Sequence, residues 1–115
     1  MIDDSALVVR WIERALCGAG HEVLGLQCGR KVLETLEHTS VDLLITDIYM
    51  PGLDGLEIIQ RVRTLSPGTR VIAISARAPE RNMFAVARFL GATETLQKPF
   101  HQEQLLQAVQ RALSA

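Results

Sequence analysis

Two nearly continuous apolar runs, Val41 to Thr46 and Val71 to Ser75, have the length and composition of strands buried on both faces of a sheet. Shorter strands are predicted at Glu22 to Leu26 and Glu94 to Gln97. Amphipathic segments of about ten residues separate these runs, and their apolar spacing predicts helices. Parallel neighbours need such crossovers, so the alternation is typical of an α/β domain with a parallel sheet. We expect residues 1–115 to form one domain.

Five amphipathic segments are predicted to be helices. The first carries Ile12 and Leu16 and is expected to end at Gly18 and Gly20, since glycine favours helix ends. The other four helices are predicted at Gly29 to His38, Leu56 to Leu65, Arg81 to Leu90 and His101 to Ala112. The helix side chains expected to face the sheet include Val8, Ile12, Leu16, Val32, Leu33, Leu36, Ile58, Ile59, Val62, Leu65, Leu105, Val109 and Leu113, with Trp11 partly buried.

Composition excludes several classes of function. The net charge of −1 leaves no broad basic face, so we expect no direct nucleic-acid binding by this domain. No apolar run is long enough to cross a bilayer, and the N-terminus does not resemble a signal peptide. Cys17 and Cys28 lack metal-binding spacing and are expected to be reduced packing residues in a cytoplasmic protein. The three histidines also fit no metal spacing and are expected at the surface: His21, His38 and His101.

Polar residues stand where the predicted strands stop. Asp3 and Asp4 precede the first helix, Asp47 and Ser75 end the two buried strands, and Lys98 follows the last strand. Ligands of open parallel sheets bind beyond the carboxyl ends of the strands. We therefore expect three carboxylates, a hydroxyl and an ammonium to converge at one edge of the sheet.

This set of groups fits one chemistry. Crowded carboxylates stay ionised when a cation joins them, and an all-oxygen ligand set suits Mg²⁺. A carboxylate can attack phosphorus to give an aspartyl phosphate. Lys98 could then neutralise one phosphoryl oxygen, and Ser75 could donate a hydrogen bond to another. The strand ends therefore predict phosphoryl transfer onto Asp47.

Four segments together resemble the receiver domains of bacterial two-component signalling. They are Asp3-Asp4, the run from Thr46 to Gly55 (TDIYMPGLDG), Ile74-Ser75-Ala76, and Lys98-Pro99-Phe100. The resemblance extends from residue 3 to the end of the chain. It implies a flavodoxin-like (βα)₅ fold, a three-layer sandwich whose five strands, numbered along the chain, lie in the order 2-1-3-4-5.

The resemblance also implies roles for individual residues. Asp47 would be the phosphoacceptor, Lys98 would pair with the phosphoryl group, and Ser75 would move to hold it. The Lys98–Pro99 peptide bond would be cis. Such a chain would not be an ordinary enzyme, although it could catalyse its own phosphorylation and dephosphorylation. The implied Mg²⁺ ligands are Asp4, Asp47, the backbone carbonyl of Tyr49 and, through water, Asp3.

Membership would further imply protein partners. The phosphoryl group would come from a histidine kinase or a phosphotransfer protein. A surface formed by the fourth helix, fifth strand and fifth helix would then change its affinity for a downstream protein or an output domain. Whether the chain is a stand-alone receiver or one domain of a larger protein stays open.

The first strand departs from the family pattern. Only Met1 and Ile2 precede Asp3, whereas strands usually have about five to six residues. This central strand therefore looks truncated, and residues upstream of Met1 are expected to complete it. Without them, the domain should be less stable or should borrow a strand from a second copy, giving a homodimer.

Side chains near the site also depart from the pattern. Thr95 stands where the family usually has an aromatic residue that turns inward on activation, and Phe84 or Phe100 could substitute for it. Tyr49 and Arg77 lie two residues beyond the phosphoacceptor and the hydroxyl, at the positions that in the family bear on the hydrolysis rate. Both are large and could either hinder or orient water.

Three alternatives come from other functional classes. A phosphatase of the haloacid-dehalogenase type needs a second Asp where Tyr49 stands. A flavodoxin-like cofactor binder needs a phosphate-cradling loop where Asp3 and Asp4 would repel phosphate. A non-phosphorylated pseudo-receiver that acts only as an interaction module stays open, because a truncated strand and Thr95 both suit it.

Overall fold

The computed structural model of the chain describes residues 6–21, 29–48, 55–75, 83–98 and 100–114. In these ranges five helices and three strands follow one another, as an α/β fold requires. None of these helices combines the length and apolar character that crossing a bilayer requires. The elements are α1 (Ala6–Gly18), α2 (Gly29–His38), β1 (Leu43–Asp47), α3 (Gly55–Leu65), β2 (Arg70–Ser75), α4 (Met83–Leu90), β3 (Glu94–Gln97) and α5 (Gln102–Ser114).

The three strands form one parallel sheet in the order β1-β2-β3. Asp47 pairs with Ile74, and Ser75 pairs with Gln97. β1, β2 and β3 correspond to the third, fourth and fifth predicted strands. Their order in the sheet agrees with the 3-4-5 part of the predicted order. The first predicted strand, with its truncation, and the second, Glu22 to Leu26, lie outside the described residues.

Helices cover both faces of this sheet. Ile72 and Ile74 in β2 face α1 and α5, whereas Val71 and Ala73 face α2, α3 and α4. This division follows from the period-two alternation of side chains along a strand. Each fully buried isoleucine contributes about 1.5–3 kcal/mol relative to an exposed one. The predicted three-layer sandwich is confirmed. The buried helix residues of the two layers are Val9, Ile12, Ala15, Leu16, Leu105, Ala108, Val109 and Ala112 on one face, and Val32, Ile58, Ile59, Val62 and Ala87 on the other.

Glycines end two of the helices in the way the sequence predicts. Gly20 has a φ of 93°, and the next N–H, of His21, donates to the carbonyl of Leu16 at 3.0 Å. Gly91 has a φ of 132° directly after α4. Side chains are strained in this left-handed region, so glycine fits both turns. The predicted ends of α1 and α4 are confirmed.

One strand begins later than predicted. β1 starts at Leu43, and its last residue is Asp47. The carbonyl of Val41 instead accepts a hydrogen bond from the Thr69 hydroxyl at 2.7 Å, in the turn before β2. This side-chain bond takes the place of a ladder bond at the predicted start of the strand.

Two expected core positions are wrong. Leu65 is 47% exposed, because the buried face of α3 ends at Val62, one turn earlier. Cys17 is a free thiol on the exposed side of the last turn of α1, so it is not a packing residue. Trp11 is 40% exposed and partly buried, as predicted. Cys28 lies outside the described residues.

Candidate functional site

Of the polar residues predicted at the strand ends, those that the structure describes lie at the carboxyl edge of the sheet. Asp47 ends β1 and Ser75 ends β2, and both residues are buried. Lys98 directly follows β3. Parallel strands end at the same edge, so the register places the three residues on neighbouring strands in the order Asp47, Ser75, Lys98.

Lys98 and Asp47 form an ion pair at this edge of the sheet. The Lys98 Nζ atom donates a hydrogen bond to Asp47 Oδ2 at 2.9 Å. The two residues are on strands separated by β2, about 10 Å apart at the usual strand spacing, so the pair requires a long cationic side chain. Only 8% of the Asp47 side chain and 17% of the Lys98 side chain are exposed. At this depth solvent screens the two charges less than at the surface, and the interaction is stronger than an exposed ion pair.

Backbone hydrogen bonds fix the positions of these side chains. The sheet ladder continues one step past the strands, because Ile48 N–H donates to the Ile74 carbonyl at 2.9 Å and Lys98 N–H donates to the Ser75 carbonyl at 2.7 Å. The second bond ties the start of the Lys98 segment to the end of β2. A displacement of the Ser75 backbone would therefore also displace the backbone of Lys98.

A threonine that the sequence analysis gave no role lies beside the acid. Thr46 is fully buried, and its hydroxyl donates to the Asp47 carbonyl at 3.1 Å. A buried hydroxyl without a partner would cost about 1–3 kcal/mol, so this bond stabilises the end of β1. The available signal was a threonine immediately before the strand-end aspartate.

The described residues supply one carboxylate of the predicted metal site. Asp47 brings a nearly buried carboxylate to the sheet edge, and such oxygens are the donors that Mg²⁺ prefers. Asp3, Asp4 and Tyr49, the other predicted ligands, lie outside the described residues, as does Arg77. Within the described ranges no group of three acidic, histidine or cysteine side chains could hold a metal ion. The donor chemistry of Asp47 fits Mg²⁺.

Thr95 stands at the β3 position where the family usually has an aromatic residue, and its side chain is hydrogen-bonded to α4. Arg88 Nη2 donates to the Thr95 hydroxyl at 3.0 Å. The adjacent Glu94, on the opposite face of β3, accepts a hydrogen bond from Arg111 of α5. Two arginines therefore attach β3 to the helices on either side. Sequence reasoning missed Arg88, because nothing in the local pattern linked it to Thr95.

Phe100 does not occupy the place next to Thr95. It packs against the core layer of α1 and α5, and its ring meets Trp11 edge to face, with the ring centroids 5.6 Å apart. Thr95 contacts α4, on the other face of the sheet. The idea that Phe100 substitutes for the missing aromatic is therefore wrong, and the side chain of Phe84 lies outside the described residues.

Comparison with known proteins identifies the family to which the chain belongs. The family model for the response regulator receiver domain matches residues 1–110. The chain belongs to the receiver domain family. Receiver domains are the phosphoacceptors of two-component signalling rather than classical enzymes, and phosphorylation and the use of Mg²⁺ are general properties of the family. The resemblance found in the sequence is confirmed.

Individual relatives agree with this assignment. The receiver domain is 37% identical over 113 residues to the DNA-binding transcriptional regulator NtrC of Escherichia coli (strain K12), covering 97% of this chain and 24% of that protein. It is 29% identical over 115 residues to the chemotaxis protein CheY of Bacillus subtilis (strain 168), covering 99% and 95%. It thus spans about a quarter of the length of its NtrC relatives and nearly all of CheY.

Solved structures share the fold. Chemotaxis protein CheY4 of Vibrio cholerae superimposes with a TM-score of 0.90 at 31% identity, over 97% of this chain and 94% of that one. A receiver domain from Clostridium thermocellum gives a TM-score of 0.88 at 30% identity, over 98% and 90%. The described parallel sheet and its helix layers are those of a flavodoxin-like receiver domain.

Proposed function

We propose that residues 1–115 form one receiver domain that accepts a phosphoryl group on Asp47 in a phosphorelay. The observation that carries this proposal is the 2.9 Å contact between Lys98 Nζ and Asp47 Oδ2, with Ser75 on the strand between them. A nucleophilic carboxylate beside an ammonium and a hydroxyl is the set of groups that phosphoryl transfer onto aspartate needs.

The reaction follows from these positions. We assign the attack on phosphorus to the carboxylate of Asp47, whose Oδ2 atom accepts the hydrogen bond from Lys98. The new P–O bond forms as the P–N bond of a phosphohistidine breaks, and the imidazole keeps the electron pair. The Lys98 ammonium neutralises negative charge on the transferred group, and the Ser75 hydroxyl donates a hydrogen bond to one of its oxygens.

A magnesium site belongs to the same proposal. Asp47, Asp4 and the backbone carbonyl of Tyr49 would hold Mg²⁺, with Asp3 acting through a water molecule. When bound, the ion would neutralise charge on the incoming phosphoryl oxygens and reduce repulsion among the carboxylates. The chain's own contribution is to hold the Asp47 carboxylate rigidly at the end of a buried strand.

Phosphorylation would alter the rest of the domain through a structural change in β3. Ser75 accepts the backbone hydrogen bond of Lys98, so movement of Ser75 toward the phosphoryl group would shift the start of the following segment. Thr95 and Glu94 then link β3 to α4 and α5 through Arg88 and Arg111. This linkage supports a change of the α4–β3–α5 surface on phosphorylation.

The proposed donor is a histidine kinase or a phosphotransfer protein, and the proposed receiver of the signal is a downstream protein or an output domain. Partners of these kinds are general for receiver domains. Self-catalysed phosphorylation and dephosphorylation, cytoplasmic location, lack of direct nucleic-acid binding and a homodimer stay predictions.

The pseudo-receiver alternative is not favoured. A module used only for protein contacts has no need of a nearly buried carboxylate and ammonium on strands that β2 separates. Burying two charges costs free energy. A protein-contact surface elsewhere on the domain would give no reason to keep that cost. The intact Asp47–Lys98 pair therefore supports a phosphoacceptor.

The decisive experiment is phosphorylation by a small donor. We expect incubation with acetyl phosphate and Mg²⁺ to add one phosphoryl group per chain, measured by intact-protein mass spectrometry. A parallel sample without divalent metal should show little incorporation, because the donor's charge is then not neutralised. Absence of any adduct with the metal present would refute the proposal and favour the interaction module.

Trp11 should report metal binding at the site. It is the chain's one tryptophan, and its ring contacts Phe100, two residues beyond Lys98. We expect a saturable fall in fluorescence on titration with Mg²⁺, because rearrangement around Lys98 alters this ring contact. The Asp4→Ala variant should lose the response. Asp42→Ala is the control, since Asp42 is exposed before the start of β1, and its response should be unchanged. An equal response in Asp4→Ala would contradict the assigned ligand.

A further inference from the structure

Lys98 follows the least buried strand of the described sheet. β1 and β2 bury all of their residues except the first, whereas none of the four residues of β3 is buried. β3 also lies at one end of the described strand order. Buried strands therefore hold Asp47 and Ser75, but the strand before Lys98 gives weaker support to a long and flexible side chain.

The residues just beyond Lys98 supply a second attachment. Phe100 packs against the core layer of α1 and α5. The N–H of His101 donates to Gln104 Oε1 at 2.8 Å, which is half of a capping box at the start of α5. Two residues of chain span at most about 7 Å, so Phe100 anchors the chain close to Lys98. The Lys98 backbone is thus tied on one side by its hydrogen bond to Ser75 and on the other by Phe100.

Trp11 contacts this anchor from α1. Its ring meets the ring of Phe100 edge to face, with the centroids 5.6 Å apart. Trp11 is 40% exposed, and α1 already buries four other side chains against the sheet, so the core does not depend on the indole ring. Those four are Val9, Ile12, Ala15 and Leu16. Aromatic pairs have preferred geometries, so this contact restricts the movement of Phe100.

We propose that Trp11 and Phe100 are positioning residues for phosphoryl transfer, because their ring contact holds the chain after Lys98 where its ammonium meets Asp47. This inference rests on the proposed function of Asp47. A charged group accelerates a reaction when it is in place beforehand, and a misplacement of about 1 Å can cost about 10²-fold in rate. Loss of the ring contact loosens the chain but keeps the ammonium, so we expect a smaller effect, about tenfold.

The initial rate of adduct formation from acetyl phosphate at saturating Mg²⁺ tests the inference. Trp11→Ala removes the ring and should react about tenfold more slowly than the wild type. Trp11→Phe keeps an aromatic ring on α1 and should stay within about threefold of the wild type. Phe100→Leu keeps an apolar side chain in the core layer but loses the ring pair. It should also be slow, which provides a second test if Trp11→Ala folds poorly.

Two controls separate positioning from general stability. Leu113 packs against the same core layer, but it lies about 16 Å along α5 from the start of that helix. Leu113→Ala should lower the Tm, because it removes partly buried apolar surface, and should leave the rate within about twofold of the wild type. Phe89 is an aromatic residue of α4 with 83% of its surface exposed, and Phe89→Ala should leave the rate unchanged.

A double-mutant cycle shows whether the rings act through the ammonium. Trp11→Ala in the Lys98→Met background should stay within about twofold of Lys98→Met alone, because no ammonium is left to position. A further tenfold loss would overturn the proposal. So would wild-type rates in both Trp11→Ala and Phe100→Leu, or equal slowing by Leu113→Ala. Each of these results leaves Asp47 as the phosphoacceptor, whereas absence of any adduct in the wild type refutes that function and the positioning role with it.

Discussion

Replacement of Asp47 by asparagine is expected to reduce phosphoryl incorporation from acetyl phosphate to background. The amide is nearly isosteric with the carboxylate but cannot attack phosphorus, so the change removes the nucleophile while the fold is kept. Loss of a nucleophile costs several orders of magnitude in rate in enzymes, so the adduct should be undetectable by mass.

A matched variant tests whether the loss is specific. Asp42→Asn removes an exposed carboxylate just before β1, and its incorporation should equal that of the wild type. Far-UV circular dichroism and Trp11 fluorescence should show that both variants are folded. Full incorporation in Asp47→Asn would mean that another residue accepts the phosphoryl group, and the proposed mechanism would then be wrong.

Replacement of Lys98 by methionine should slow phosphorylation about 10²–10³-fold, the usual cost of losing one preorganised donor to developing charge. Methionine keeps an unbranched side chain in the same place, so packing changes little. The Asp47 carboxylate, 8% exposed, would lose its ammonium neighbour, and the transferred oxygens would lose a counter-charge. The measurement is the initial rate of adduct formation at saturating Mg²⁺.

Two further variants separate charge from packing at this position. Lys98→Arg keeps the positive charge in a longer, planar group and should recover only part of the rate. Lys31→Met, in α2, removes the chain's other lysine and should leave the rate unchanged. A wild-type rate in Lys98→Met would show that the ion pair with Asp47 is structural and takes no part in the transfer.

The strand ends carried most of what could be predicted about the site. The runs at Val41 and Val71 are apolar on both faces, which identifies them as central parallel strands, and parallel strands end together. From that rule alone, Asp47, Ser75 and Lys98 had to share one edge, and the 2.9 Å ion pair is a consequence of that arrangement.

Errors arose where tertiary contacts override a local pattern. Leu65 continues the apolar spacing of α3, but the packed face of the helix has already ended, and spacing contains no information about that limit. Cys17 lies on the exposed side of α1 for the same kind of reason. Periodicity gives the direction of a side chain around its helix and not the extent of the neighbouring surface.

The amino-acid sequence by itself determined the class of fold, the edge at which the chemistry lies and the family, because alternation, strand composition and strand-end residues are local properties. Only the tertiary structure decided which side chains of different elements touch. Arg88 reaches Thr95, and Arg63 lies over Gly91, because α3, α4 and β3 pack side by side. Such contacts depend on the relative placement of whole elements, which the core packing sets and no single segment encodes.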